Sequence, residues 1–273
     1  MRHHFQKGEF FMFDINEKKR IVIKVGTSTL THNTGRLNLR RVEKLVKVLA
    51  DIQNSGKEII LVSSGAVGLG MSKMHLPEKP KDTAMKQACA AVGQCELMYM
   101  YGKLFGEYNL TVAQVLLTKH IFDTPRKNNV ENTFEKLISY NIIPVVNEND
   151  TVAIDELELE IGENDSLAAL VAIFCRADML IILSDIDGFY DGNPKEDPDA
   201  KLIPMITEID DRIRSLAGGA GSGLGTGGMI TKIKAAEVSM FEGIDMAILN
   251  GSDPDVLYDF LDGKQVGTVF SAK

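Results

Sequence analysis

Ile21-Val22-Ile23-Lys24-Val25-Gly26-Thr27-Ser28 is a β-branched run that breaks into a glycine turn. Branched apolar residues favour strands. An almost unbroken apolar run points to a strand buried on both faces, the kind found in parallel sheets. Lys24 interrupts it, and an ammonium inside such a strand is costly to bury unless something pairs with it.

Working outward, Leu39, Val42, Leu45, Val46, Leu49 and Ile52 recur at helical spacing, and Asn54-Ser55-Gly56 ends that helix. Ile59–Val62 reads as a second strand, followed by Ser63-Ser64-Gly65-Ala66 and a short helix. The pattern then predicts a long helix over Thr83–Glu107, a strand over Thr111–Leu116, a helix over Asn132–Tyr140 and a strand over Ile142–Val146. A helix at Asp165–Cys175, a strand at Met179–Leu183, a helix at Ile230–Phe241, a strand at Met246–Leu249 and a last helix near Val256–Leu261 complete it. Buried strands alternating with helices imply an α/β fold whose mainly parallel sheet is covered on both faces. No internal repeat or linker divides residues 20–273, which read as a single domain. The proline-containing segment Asp191–Pro204 reads as an excursion, and residues 1–19 as an N-terminal extension without a signal-peptide pattern.

A chain of 273 residues with 44% hydrophobic and 25% charged residues is ordinary for a globular protein. Its net charge of −8 disfavours general nucleic-acid or anionic-membrane binding, though not a local pocket for an anion. Cys89, Cys95 and Cys175 form no CxxC pair and sit in apolar helical stretches, so buried thiols and a cytoplasmic location are expected. The scattered histidines form no metal constellation, no protein-held metal site is expected, and no segment is apolar enough to span a membrane.

In a parallel sheet the carboxyl ends of the strands share one edge, and ligands bind in the crevice there. Polar clusters follow the strands at that edge: Gly26-Thr27-Ser28, Ser63-Ser64-Gly65, Asn147-Glu148-Asn149-Asp150 and Ser184-Asp185-Ile186-Asp187-Gly188. Gly162-Glu163-Asn164-Asp165-Ser166 opens a helix between two of them; Asn164 and Asp165 could equally be ordinary caps. The run Gly218-Gly219-Ala220-Gly221-Ser222-Gly223-Leu224-Gly225-Thr226-Gly227-Gly228-Met229-Ile230-Thr231-Lys232 feeds a helix start. Such a loop can bring backbone N–H groups close to an anion, and the helix dipole favours negative charge there. It is not a P-loop, because Lys232 follows Thr231 instead of preceding a Ser or Thr.

Taken in order, these blocks resemble the amino acid kinase family over roughly residues 20–272. They include Val22–Ser28, Val62–Ala66, Lys86-Gln87 with Ala91-Val92-Gly93-Gln94, Ile143–Asp150, Gly162–Asp165 and Gly223–Met229 with Thr231-Lys232. The Asn147–Asp150 and Gly225–Met229 blocks resemble the branch that phosphorylates glutamate. The resemblance implies a three-layer α/β/α sandwich around about eight mainly parallel strands, with the amino acid held by the N-terminal part and the nucleotide by the C-terminal part. The implied reaction is ATP-dependent phosphorylation of the side-chain carboxylate of L-glutamate to L-glutamyl 5-phosphate, the first step of proline biosynthesis, with Mg²⁺ riding on ATP.

Carried over by motif, Lys24, Asp165 and Lys232 would be catalytic, Asp165 holding both ammonium groups in place. Ser64, Asp150 and Asn164 would bind glutamate. Lys24, Ser184, Asp185, Thr226, Gly227, Gly228, Met229, Ile230, Thr231 and Lys232 would bind the nucleotide. The acyl phosphate product suggests transient hand-over to a glutamyl phosphate reductase, and relatives associate, so a homo-oligomer is expected. Many relatives carry a small C-terminal PUA domain, which a chain of this length is expected to lack. An acetylglutamate or uridylate kinase type of the same family, or a non-catalytic binding module, remain the alternatives.

Overall fold

Side-chain parity along the first strand organises the molecule. The computed structural model describes residues 15–32, 36–118, 124–152, 164–194, 196–218 and 228–272. Among them run the strands β1 (Arg20–Val25), β2 (Glu58–Ser63), β3 (Val112–Leu117), β4 (Ile143–Glu148), β5 (Met179–Ser184), β6 (Met205–Ile206), β7 (Asp245–Asn250) and β8 (Thr268–Phe270). They form one sheet in the order β3-β4-β2-β1-β5-β7-β8-β6, parallel except where β7 meets β8.

The helices are α1 (Thr27–Leu30), α2 (Leu39–Asn54), α3 (Ala66–Lys73), α4 (Thr83–Gly106), α5 (Thr124–Ser139), α6 (Asn164–Phe174), α7 (Asp211–Gly218), α8 (Gly228–Phe241) and α9 (Val256–Leu261). Successive strand residues point to opposite faces. Ile21, Ile23 and Val25 join a core with α2, α4 and α9 (Leu45, Leu49, Leu97, Tyr101, Leu257). Val22 faces the opposite core, built on α6 and α8 (Ala168, Ala172, Ile233, Ala236). Helices on both faces make the three-layer sandwich. Period two then sends Lys24 to the α6–α8 face, which decides what it can meet.

β1 is hydrogen-bonded to β2 on one side and β5 on the other, so the winding of the chain reverses beside it. That reversal opens a crevice at the carboxyl ends of the central strands. α3 begins there from Gly65, whose φ of +106° is left-handed and suits glycine.

α3 and α4 approach backbone to backbone. A Cβ on Gly93 would stand 1.7 Å from the Ala66 carbonyl oxygen, and one on Gly70 would stand 1.8 Å from that of Cys89. Neither atom can swing aside, so Gly93→Ala must push the helices apart. The expected cost is about 3 kcal/mol or more, read as a fall in melting temperature on the order of 10 °C. Because α3 carries part of the crevice wall, substrate affinity should fall with it.

The structure departs from the sequence reading in places. α5 starts at Thr124 instead of Asn132: its polar first turns show no apolar period, but Pro125 suits a first turn. α1, β6, α7 and β8 were not expected; the strands span only two and three residues, too short to show a period. Cys89 and Cys175 are buried as expected, whereas Cys95 lies exposed on α4. Among the described residues no helix is long and apolar enough to cross a membrane.

Candidate active site

The crevice is a cavity of about 850 Å³ into which every polar cluster of the sheet edge contributes. Gly26 and Thr27 follow β1, Ser64 and Gly65 follow β2, Glu148 ends β4 with Asp150 just beyond, and Asp185 follows β5. Asn164, Gly228 and Lys232 enter from the first turns of α6 and α8.

At its base the partner of Lys24 is Asp165. Lys24 Nζ forms a 2.6 Å ion pair with Asp165 Oδ1, and Lys232 Nζ reaches Oδ2 at 3.1 Å. Thr231 donates its hydroxyl to the same Oδ2 at 3.0 Å, and Lys232 also donates to the Gly228 carbonyl at 3.0 Å. Asp165 is fully buried and the two lysines nearly so. Burial alone would raise the Asp165 pKa, but Lys24 and then Lys232 overcome it and hold the carboxyl below its ordinary range. Asp165 is therefore not a simple cap. Two ammonium groups against one carboxylate leave a net positive charge facing the cavity, in a setting where water screens it little.

A second network joins residues expected to bind the amino acid. Asn164 Nδ2 donates to Ser64 Oγ at 2.8 Å and to Asn147 Oδ1 at 3.0 Å. Asn147 Nδ2 in turn donates to Gln94 Oε1 at 2.9 Å. A buried chain of amides thus fixes Asn164 and Ser64 by tying α4, β4 and α6 together. Gln94 and Asn147 stand in the quoted motif blocks, but the sequence assigned them no role: an amide's partner cannot be read from spacing. Asp150 lies in the cavity wall near Glu148. Burial, reinforced by Glu148, pushes its pKa up to about 6.

The residues expected to bind the nucleotide fare unevenly. Gly228, Lys232 and Asp185 line the cavity, and Ser184 sits buried at the end of β5, donating to Asp185 Oδ1 at 3.3 Å. The Met229 side chain packs into the core beneath α8, Ile230 is partly exposed, and Thr231 is turned to Asp165. Thr226 and Gly227 lie outside the described residues, as do Gly162 and Glu163. Among the described residues no group of three His, Cys, Asp or Glu side chains could hold a metal ion.

The described "Amino acid kinase family" profile matches residues 19–250. A glutamate 5-kinase of Clostridium perfringens is 54% identical over 262 residues, covering 95% of this chain and 97% of that protein. The glutamate 5-kinase of Listeria innocua is 52% identical over 262 residues, with 95% of both chains covered. Among solved structures, the carbamate kinase of Giardia lamblia bound to AMP-PNP superposes with a TM-score of 0.66 at 18% identity, covering 94% of this chain and 99% of that one. At that identity the likeness speaks for the fold alone.

Proposed function

The chain belongs to the amino acid kinase family, and from that premise we propose that it transfers the terminal phosphoryl group of ATP to the side-chain carboxylate of L-glutamate, giving L-glutamyl 5-phosphate and ADP. The observation that carries this reading is Asp165 clamping Lys24 and Lys232 beside a cavity that Ser64, Asn164 and Asp150 also line.

The acceptor carboxylate has an ordinary pKa of about 4.3 and is ionised at neutral pH, so no base has to prepare it. One carboxylate oxygen bonds to the γ-phosphorus while the bridging P–O bond breaks and its electrons leave with ADP; no proton moves. The obstacle is bringing an anion in line with a polyanion. Positioning and fixed positive charge are what such a reaction needs.

Lys24 approaches from the amino-acid half and Lys232 from the nucleotide half, both pre-oriented by Asp165. The N-terminal ends of α1 at Gly26 and α3 at Gly65 present backbone N–H groups to the same space. A divalent ion such as Mg²⁺ would offset charge on the ATP phosphates. An ion that arrives on phosphates needs only one or two protein carboxylates, and Asp185 in the cavity wall fits that need. In the same cavity, Asp150 suits the α-ammonium of glutamate, with Ser64 and Asn164 supplying hydrogen bonds.

The test is ADP release from Mg·ATP in the presence of hydroxylamine, which traps an acyl phosphate as its hydroxamate. Hydroxamate is expected with L-glutamate and not with N-acetylglutamate, whose blocked nitrogen has no charge for Asp150. Aspartate, one methylene shorter, should also fail to reach from Asp150 to the phosphoryl group. Turnover with N-acetylglutamate instead would move the assignment to another member of the family.

A further inference from the structure

We propose that Lys86 binds the α-carboxylate of the amino-acid acceptor and, opposite Asp150, makes the site specific for an α-amino acid with both ends unblocked. This rests on the glutamate reading above.

A bound glutamate brings three charges to the cavity. Its side-chain carboxylate belongs with the phosphoryl group beside Lys24 and Lys232, and both of those are already committed to Asp165. Its ammonium belongs with Asp150. The α-carboxylate still needs a cation, because an unpaired buried charge is costly. Of the lysines lining the cavity, that leaves Lys79 and Lys86, and neither forms an ion pair among the described residues. Lys79 is exposed in the segment before α4, whereas Lys86 is half-buried in the first turns of α4.

Two further features single out Lys86. A lysine near a helix N-terminus faces the positive end of the dipole, so it weakens an empty helix and sharpens the attraction for an anion. The only acidic group at that helix end is the cap, Asp82, whose carboxylate accepts the Met85 N–H at 2.8 Å and forms no ion pair with Lys86 among the described residues. Lys86 is also linked to Asp150 through the fold. It precedes Gln94 by eight residues on one helix, about 12 Å along the axis. Gln94 holds Asn147, three residues before Asp150, and Gly93 locks the same helix against α3. Lys86 and Asp150 therefore line one cavity and are joined through α4 and β4 by the Gln94–Asn147 hydrogen bond.

The experiment compares L-glutamate with its α-amide, L-isoglutamine, which keeps the side-chain carboxylate and the ammonium and loses only the α-charge. The wild type should prefer glutamate in kcat/KM by about 100-fold. Lys86→Met should lose most of that preference: glutamate kcat/KM falls about 100-fold through KM, and the isoglutamine value changes by less than about threefold. Lys86→Arg should restore part of the preference, and Lys79→Met should leave both acceptors within about threefold of wild type. As a readout apart from turnover, glutamate alone should raise the melting temperature of the wild type and not that of Lys86→Met. Equal losses with both acceptors in Lys86→Met, or a collapse of preference in Lys79→Met, would overturn the assignment. A wild type that forms no hydroxamate from glutamate would instead overturn the glutamate reading, and this inference with it.

Discussion

Asp165→Asn should lower kcat on the order of 10³-fold while leaving the KM for glutamate within a few fold, and it should also destabilise the fold. The carboxylate is fully buried and both lysines hang on it. An amide cannot neutralise them, so two buried ammonium groups would repel each other and turn from the phosphoryl position. Leaving a buried charge without its partner costs about 3–5 kcal/mol. Lys232→Met separates the two effects. It removes one cation and leaves Lys24 paired with Asp165, so stability should hold near wild type while kcat falls about 10²–10³-fold. Turnover assays with melting curves on both variants check this. A Lys232→Met protein with unimpaired kcat would remove that lysine from charge stabilisation. The pH sign follows from the depressed Asp165 pKa: its contribution to stability is complete above the ordinary aspartate range, about 4, and is lost as pH falls through the lower native value. Asp165→Asn should lose that acid-side slope.

The framework was legible because buried parallel strands announce themselves. β1, β5 and β7 are dominated by Val, Ile, Leu and Met, and the polar clusters that follow such strands had to share one edge. Lys24 was legible as an anomaly, since a lysine in such a strand demands a partner. Strand parity alone places it on the face that α6 and α8 cover. What stayed hidden is whatever depends on distance in space. Gln94 meets Asn147 across 53 positions of sequence, and Asn164 meets Ser64 across 100. Nothing in the spacing of Gly70 and Gly93 shows that the packing of α3 on α4 sets each against a backbone carbonyl. Cys95 was misjudged because α4 is apolar on more than its buried side: Met85, Val92 and Tyr99 are also exposed.

Asp150→Asn should stabilise the ligand-free protein and nearly abolish use of glutamate. Burial and the neighbouring Glu148 hold the Asp150 pKa up at about 6, so ionising it in the native state costs free energy that the unfolded chain does not pay. Between the ordinary aspartate range, about 4, and its native value the folded protein binds more protons than the unfolded chain. Stability therefore declines as pH rises through that window and stays at the lower level above it. Asparagine removes the penalty, so the variant should melt higher than wild type near pH 8 and close to it near pH 4. The catalytic effect has the opposite sign. Only the ionised carboxylate attracts an α-ammonium, so wild-type kcat/KM for glutamate should fall about tenfold for each pH unit below about 6. At saturating glutamate kcat should be flatter, because the bound ammonium draws the Asp150 pKa down. In Asp150→Asn that limb disappears and kcat/KM at neutral pH drops on the order of 10²–10³-fold. Melting curves and pH–rate profiles on the two proteins decide it. A variant that loses stability near pH 8, or keeps the wild-type limb near 6, would show that another group receives the ammonium. The expected result would mean that the strain at Asp150 is what glutamate binding relieves.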